Sequence, residues 1–230
     1  MAYVNEKIIT DPVEKKEVQQ VLDAIHQNNK TGYWAVKRFL DVTISFCALL
    51  VLFIPMAIIA LIIFLSDGHH PFFAQTRVGR FGKEFKMYKF RTMVPNAEEL
   101  KAQLESKNEM TGPVFKMADD PRITKIGKFL RKTSIDELPQ FYNVLKGDMT
   151  IIGPRPPLPS EVAQYSEFHK IRLIVTPGIT CIWQTTPNRN SIDFEDWVKM
   201  DIDYVVNRTV FMDIKIIFRT VYVMFCGEGE

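Results

Sequence analysis

Between Val42 and Leu65 the chain runs 24 residues, VTISFCALLVLFIPMAIIALIIFL, without a charge. A straight helix of that length reaches about 36 Å and covers the apolar thickness of a bilayer. Pro55 lies inside the run. Lacking an amide hydrogen, it leaves the Val51 carbonyl without its helical partner, which predicts a kink or break near the midpoint and two halves each too short to cross alone. Lys30, Lys37 and Arg38 precede the run, and Arg77, Arg80 and Lys83 follow it. Positive charge therefore does not assign its ends to opposite sides. The pattern predicts a re-entrant hairpin that enters and leaves on one face, with a kinked transmembrane helix as the competing arrangement.

Elsewhere the apolar positions recur at helical or strand spacing. Val18, Val21, Leu22 and Ile25 mark a modest amphipathic helix, followed by a linker from Asn28 to Gly32. Alternation around Phe85, Met87 and Lys89 predicts a strand or two, and Ala97, Leu100 and Leu104 a helix face. Ile123, Ile126, Phe129 and Leu130 oppose Arg122, Lys125, Lys128 and Lys132, as in a basic amphipathic helix on anionic lipid or an ordinary surface helix. Leu138, Phe141 and Leu145 mark the buried face of a helix that Gly147 ends. Phe211, Ile214, Phe218, Val221 and Phe225 mark a last helix, packed on the core or lying at an interface.

Composition narrows the partners. A net charge of +2 over 230 residues gives no reason to expect nucleic acid. Cys47, Cys181 and Cys226 are far apart and no CxxC or HExxH spacing occurs, which excludes a disulfide scaffold and a zinc site of those types. His69 and His70 are adjacent and would point apart on a helix or strand, which favours a loop over a metal-binding pair. The N-terminus MAYVNEKIIT does not resemble a secretory signal, so the chain is expected on the cytoplasmic side.

The chemistry concentrates in RKTSIDELPQFYNVLKGDMTIIGPRP, Arg131 to Pro156. Ser134 and Glu137 have capping-box spacing, while Pro139 moves the regular helix start toward Leu138. Either way Asp136 and Glu137 sit at a helix start, where free amides and the dipole should hold a carboxylate ionised and fit to act as a nucleophile. The same place attracts phosphate, whose repulsion calls for a divalent metal or for arginines. Arg155, stiffened between two prolines, is one candidate, and Lys89 and Arg91 of YKFRTM are others.

These segments resemble the bacterial sugar transferases, also called monotopic phosphoglycosyl transferases. The matching pieces are KRFLDVTIS with Pro55, FFAQTRVGRFGKEFKMYKFRTM, DPRITKIGKFLRKTSIDELPQFYNVLKGDMTIIGPRP and PGITCIWQ, in family order from Trp34 to Phe225. The resemblance implies transfer of a phosphosugar from a UDP-sugar to polyprenol (undecaprenyl) phosphate, with release of UMP and Mg2+ as cofactor. It implies that Asp136 is the nucleophile of a covalent intermediate and that Glu137 positions the metal, also held by Asp136, or takes a proton. Arg155 would bind phosphate, with Lys89, Arg91 and Arg189 as further cations. Two departures stand out: Ile54 replaces the serine common before the helix-breaking proline, and QTTPNRNS puts Pro187 and Asn188 before Arg189 where relatives carry Gly-Arg.

The expectation is therefore an α+β, predominantly helical, membrane-associated catalytic domain with a Pro-broken re-entrant membrane helix and amphipathic interfacial helices. Residues 1–33 form an N-terminal amphipathic extension and linker, 34–66 the membrane helix, and 67–230 the cytoplasmic phosphoglycosyl transferase domain. The segment from Asn96 to Arg122 and the ending YVVNRTVFMDIKIIFRT look like members that transfer hexose 1-phosphate, glucose or galactose. The expected place is the inner membrane at the first membrane step of surface glycan assembly. A homodimer through the terminal helices is compatible with the pattern, though no residue demands one. A catalytically silent module that binds lipid or a partner enzyme, and a transmembrane scaffold, are the alternatives.

Overall fold

The computed structural model describes residues 3–5, 9–28, 31–104, 106, 108–109, 111–115, 117, 119–187 and 189–226. Asn29 and Lys30 of the expected linker, Asn188, and the Phe225 side chain lie outside the description. The first helix, α1 (Pro12–Gln27), starts where the Asp11 carboxylate accepts from the Val13 N–H and Pro12 takes the first helical position. Its Val18, Leu22 and Ile25 are buried, as their spacing predicts, in the main core with Trp197, Val198 and Ile202.

The uncharged run belongs to α2 (Thr31–Asp67), a single helix of 37 residues with Pro55 inside it. One stripe faces the rest of the protein: Tyr33, Lys37, Asp41 and Ser45, then Met56, Ile59 and Ala60 half-buried, then Ile63 buried. The steps of three and four residues keep one side of a helix inward. On the remaining sides Leu50, Val51, Phe53, Ile54, Leu61 and Leu65 are bare. An exposed apolar surface of this length suits lipid, and α2 is long and apolar enough to be membrane-embedded.

Both ends of α2 are tied to the same body. Near its start Lys37 pairs with Asp213 at 3.0 Å, Arg38 donates to the Val144 and Leu145 carbonyls, and Asp41 accepts from the Thr150 hydroxyl and the Ile151 N–H. At its end Asp67 is gripped by both Arg91 Nη atoms at 2.6 Å, while Ile63 packs with Phe90 and Leu130.

The alternating stretch forms an antiparallel hairpin of β1 (Phe72–Val78) and β2 (Glu84–Phe90). Register pairs Phe73 with Lys89, Gln75 with Met87 and Arg77 with Phe85. Directly opposed and alternate residues share a side, so Gln75, Arg77 and Lys89 lie on one face of the hairpin. Then come α3 (Ala97–Leu104), α4 (Lys125–Lys132), a single tight turn at Ile135–Glu137, and α5 (Gln140–Lys146). β3 (Thr150–Ile152) pairs in parallel with β4 (Gly178–Thr180) across two one-turn helices, α6 (Pro159–Val162) and α7 (Glu167–Lys170). The described chain closes with α8 (Phe194–Asn207) and α9 (Val210–Cys226).

Three expectations change. Arg122 is not on the basic face of α4; it lies in the turn before it, buried on Asp120 at 2.6 Å. The buried face of α5 is Gln140, Asn143 and Val144, whereas Leu138, Phe141 and Leu145 are half-buried. Asn143 is inward because its side-chain amide bonds the Tyr88 N–H and the Lys86 carbonyl at the free edge of β2. On α9 the inward residues are Asp213 and Ile216, while Phe211, Ile214, Phe218 and Val221 are exposed. With Lys215, Arg219 and Tyr222, Phe211, Ile214 and Phe218 line an open groove of about 420 Å3.

Candidate active site

α4 ends at Thr133, whose hydroxyl bonds back to the Phe129 and Leu130 carbonyls. The chain then passes through Ser134 at φ 54, a left-handed conformation, into the turn Ile135–Glu137. In that conformation the Ser134 side chain caps nothing, so the expected capping box does not form. Pro139, unable to donate, stands at the start of α5 instead. Gly147 ends α5 at φ 89 as predicted, its N–H returning to Asn143 and Val144.

This arrangement turns the two carboxylates toward β2. Lys89 Nζ is 2.6 Å from Glu137 Oε1 and 3.9 Å from Asp136 Oδ2, so one ammonium serves both acids. Asp136 is only 6% exposed. Burial pushes its pKa up from 3.8 to about 6, and repulsion by Glu137 adds to the rise, while Lys89 and Arg131 oppose it. The sequence expectation that the helix start holds this carboxylate ionised is outweighed by desolvation. Above pH 6 the acid is still a carboxylate, now short of water.

Arg155 is half-buried after β3, 3.9 Å from Glu161 Oε1 and with its guanidinium 5.5 Å from the Trp197 ring centre. Arg172 also lies against the Trp197 ring and pairs with Asp201, both buried. Arg77 is buried beside the same loop, donating to the Pro156 carbonyl, and its charge is felt by Arg155, Glu161 and Glu137.

Of the predicted residues, Asp136, Glu137 and Lys89 meet directly, whereas Arg155 contacts Glu161 and Trp197. Arg91 donates to Asp67 and to the His69, His70 and Met93 carbonyls, which clamps the end of α2. Arg189 lies over Trp183 and donates to the Gln184 carbonyl. Trp183 stacks on Trp197 at 4.3 Å, so Arg189 and Arg155 are linked through an aromatic pair. Sequence reasoning missed Gln75 and Arg77 as site residues, and Arg131, which is bonded to Thr92 and acts on Asp136. The period-two spacing of Gln75 and Arg77 is the signal that could have found the first two, but their alignment with Lys89 comes from the strand register.

Among the described residues no group of three or more His, Cys, Asp or Glu side chains is placed to hold a metal. Two adjacent carboxylates fit a Mg2+ ion of the kind that takes one or two carboxylates and completes its shell with water and substrate phosphate.

Comparison with known proteins gives the same direction. The profile described as "Bacterial sugar transferase" matches residues 32–227. The "Galactosyl transferase CpsE" of Streptococcus agalactiae serotype III is 49% identical over 87% of this chain and 44% of its own length. The "Undecaprenyl-phosphate galactose phosphotransferase" of Salmonella typhimurium is 39% identical over 88% of the chain and 44% of its own length. The "Exopolysaccharide production protein ExoY" of Rhizobium meliloti is 37% identical over 84% of the chain and 87% of its own length. The chain thus spans less than half of the first two and most of the third.

Proposed function

The chain belongs to the bacterial sugar transferase family, and from that premise we propose that it transfers a hexose 1-phosphate from a UDP-sugar to polyprenol phosphate. The observation that carries the proposal is the buried Asp136 beside Glu137 with Lys89 bridging both, next to a bare apolar helix. Asp136 attacks the sugar-bearing phosphorus of the donor. An O–P bond forms to the carboxylate, the bridging P–O bond breaks, and UMP leaves with its electron pair. A phosphate oxygen of the acceptor lipid then attacks the same phosphorus and expels Asp136, giving a polyprenyl diphosphate sugar. Glu137 takes the proton when the acceptor arrives as its monoanion. Two displacements let one nucleophile serve a water-soluble donor and a lipid acceptor in turn.

Lys89 and Arg155 supply positive charge for the phosphates. Mg2+, held by Asp136 and Glu137, would neutralise phosphate charge there. A cleft of about 230 Å3 supports a lipid acceptor: Leu49 and Met56 of α2 line it with Phe72, Tyr88, Pro139 and Tyr142, and Pro139 lies two residues from Glu137. The sugar is read as galactose or glucose, supported by relatives whose names specify galactose.

α2 is read as re-entrant, bent at Pro55, with the catalytic domain on the cytoplasmic face of the inner membrane. Attachment of both its ends to one body supports this. Phe129, exposed among Lys125, Lys128 and Lys132, and the apolar groove of α9 would rest at the lipid interface. The product would enter surface glycan assembly.

The test is intact-protein mass spectrometry after mixing enzyme, Mg2+ and a panel of UDP-sugars without acceptor lipid. One phosphosugar of added mass, absent from Asp136→Asn, is the expected result. No adduct with any donor, and no UMP when polyprenol phosphate is added, would favour a silent lipid-binding module instead.

A further inference from the structure

The loop that carries Arg155 is gripped on both sides. Before it, the Gly178 N–H donates to the Pro154 carbonyl at 2.9 Å and the Gly153 N–H to the Thr180 carbonyl at 3.0 Å. A Cβ on Gly178 would stand 2.1 Å from the Gly153 nitrogen, so only glycine allows this approach. After it, Arg77 Nη1 donates to the Pro156 carbonyl at 2.9 Å, and the next residue, Val78, donates its N–H to the Pro157 carbonyl at 2.9 Å. Arg155 sits between these two clamps.

The second clamp contains a buried charge. Arg77 is 7% exposed, and its remaining donors, Nε and Nη2, share Gln75 Oε1 at 3.1 and 2.7 Å. All three hydrogen bonds go to neutral oxygens, although a buried guanidinium is costly and a neutral side chain would hold a strand end more cheaply. Burial first, and then Arg155, pull its pKa down to about 9, against the opposing pull of Glu161 and Glu137. It is still a cation at neutral pH. Glu161, nearly buried, approaches Arg155 and accepts from the Leu158 N–H at 2.9 Å, closing the loop on itself.

We propose that Arg77 is a positioning residue for the transfer: it fixes the Pro156 carbonyl and so sets the Arg155 guanidinium relative to Glu137. The inference rests on the phosphosugar transfer proposed above and adds a residue to it. Arg77 needs no contact with substrate. Its hydrogen bonds determine where Arg155 meets the donor phosphate, and misplacement by about 1 Å is enough to slow a reaction about a hundredfold.

The experiment is a double-mutant cycle on adduct formation in the full chain, with UDP-sugar, Mg2+ and no acceptor. Arg77→Lys keeps a cation but not the planar fork that bridges Gln75 and Pro156. The expected result is a loss of about tenfold or more in the maximal rate of adduct formation, with the donor concentration that gives half that rate within about threefold of the wild type. Arg155→Lys is slow alone, and adding Arg77→Lys to it should change the rate by less than about twofold, because the loop then has nothing left to aim. Gln75→Leu, which frees Arg77 without removing either charge, should slow adduct formation in the same direction. Losses that multiply in the double variant, or a wild-type rate in both Arg77→Lys and Gln75→Leu, would overturn the proposal.

Thermal unfolding of each variant guards against misfolding, and if Arg77→Lys does not fold, the cycle is run with Gln75→Leu. If the wild-type chain forms no adduct with any UDP-sugar, the transfer itself fails and the positioning role with it. An adduct in the wild type with multiplying losses removes only the role of Arg77.

Discussion

Replacing Lys89 by Met tests the electrostatics of the acidic pair. At 3.9 Å and an effective dielectric of about 20, an ammonium and a carboxylate attract by about 4 kcal/mol. The Lys89 side chain is 26% exposed, so solvent halves this to about 2 kcal/mol, or about 1.5 pKa units. Lys89 lowers the pKa of Asp136, which already stands at about 6 because of burial. Without the lysine it should rise to between about 7 and 8. In the proposed transfer the nucleophile must be a carboxylate, so the acid limb of adduct formation, expected near pH 6 in the wild type, should move up by one to two units. The variant should therefore be about tenfold slow at pH 6.5 and recover most of its rate near pH 9. Single-turnover adduct formation, followed by mass spectrometry from pH 5 to 9, measures this directly. An acid limb that stays near pH 6, with a loss equal at every pH, would refute the argument and assign Lys89 to donor binding instead.

Asp136→Asn should abolish the adduct yet stabilise the fold. The folded protein holds the Asp136 proton up to about pH 6 and the unfolded chain only to about 3.8, so stability falls as pH rises through that window. The variant lacks this penalty and should gain of order 2 kcal/mol at pH 7.5 and nothing at pH 3.5, by thermal unfolding in detergent. Lys37→Met should cost about 3 kcal/mol by stranding Asp213, which also accepts from the Tyr33 and Tyr204 hydroxyls; Lys37→Met with Asp213→Leu should recover part of it. Met56→Trp, filling the cleft between α2 and α5, should raise KM for polyprenol phosphate several-fold and leave donor adduct formation unchanged. Equal losses in both half-reactions would show that the cleft is not an acceptor subsite.

The helices were legible because their burial is local and periodic. Val18, Leu22 and Ile25 of α1, and the bare surface of α2, follow from spacing and hydropathy alone. The acidic pair was legible because its members are adjacent. Its environment was not, since Lys89 comes from a hairpin 48 positions earlier and reaches Glu137 only through the β1–β2 register. The capping box failed for a local reason, the left-handed Ser134 before a proline-started helix. The expected direction of the Asp136 pKa shift failed for a global one. A helix start offers a fraction of a charge at the chain end, whereas burial acts on the whole ionised group.

The same contrast explains how a bare apolar helix and a polar site share one small chain. Polar residues on the inward stripe of α2 are confined to its first half, where Lys37 meets Asp213 and Asp41 meets the start of β3. From Met56 to Ile63 the inward contacts are apolar and lead to Phe90 and Leu130. Phe90 follows Lys89 directly, and Leu130 precedes Arg131, the other cation acting on Asp136. Neighbouring strand residues point to opposite faces, so β2 turns Phe90 to the apolar helix and Lys89 to the carboxylates. The hairpin is thus the partition between the apolar helix and the acidic pair. A change that slips its register by one residue would exchange those faces and remove the lysine from both acids at once.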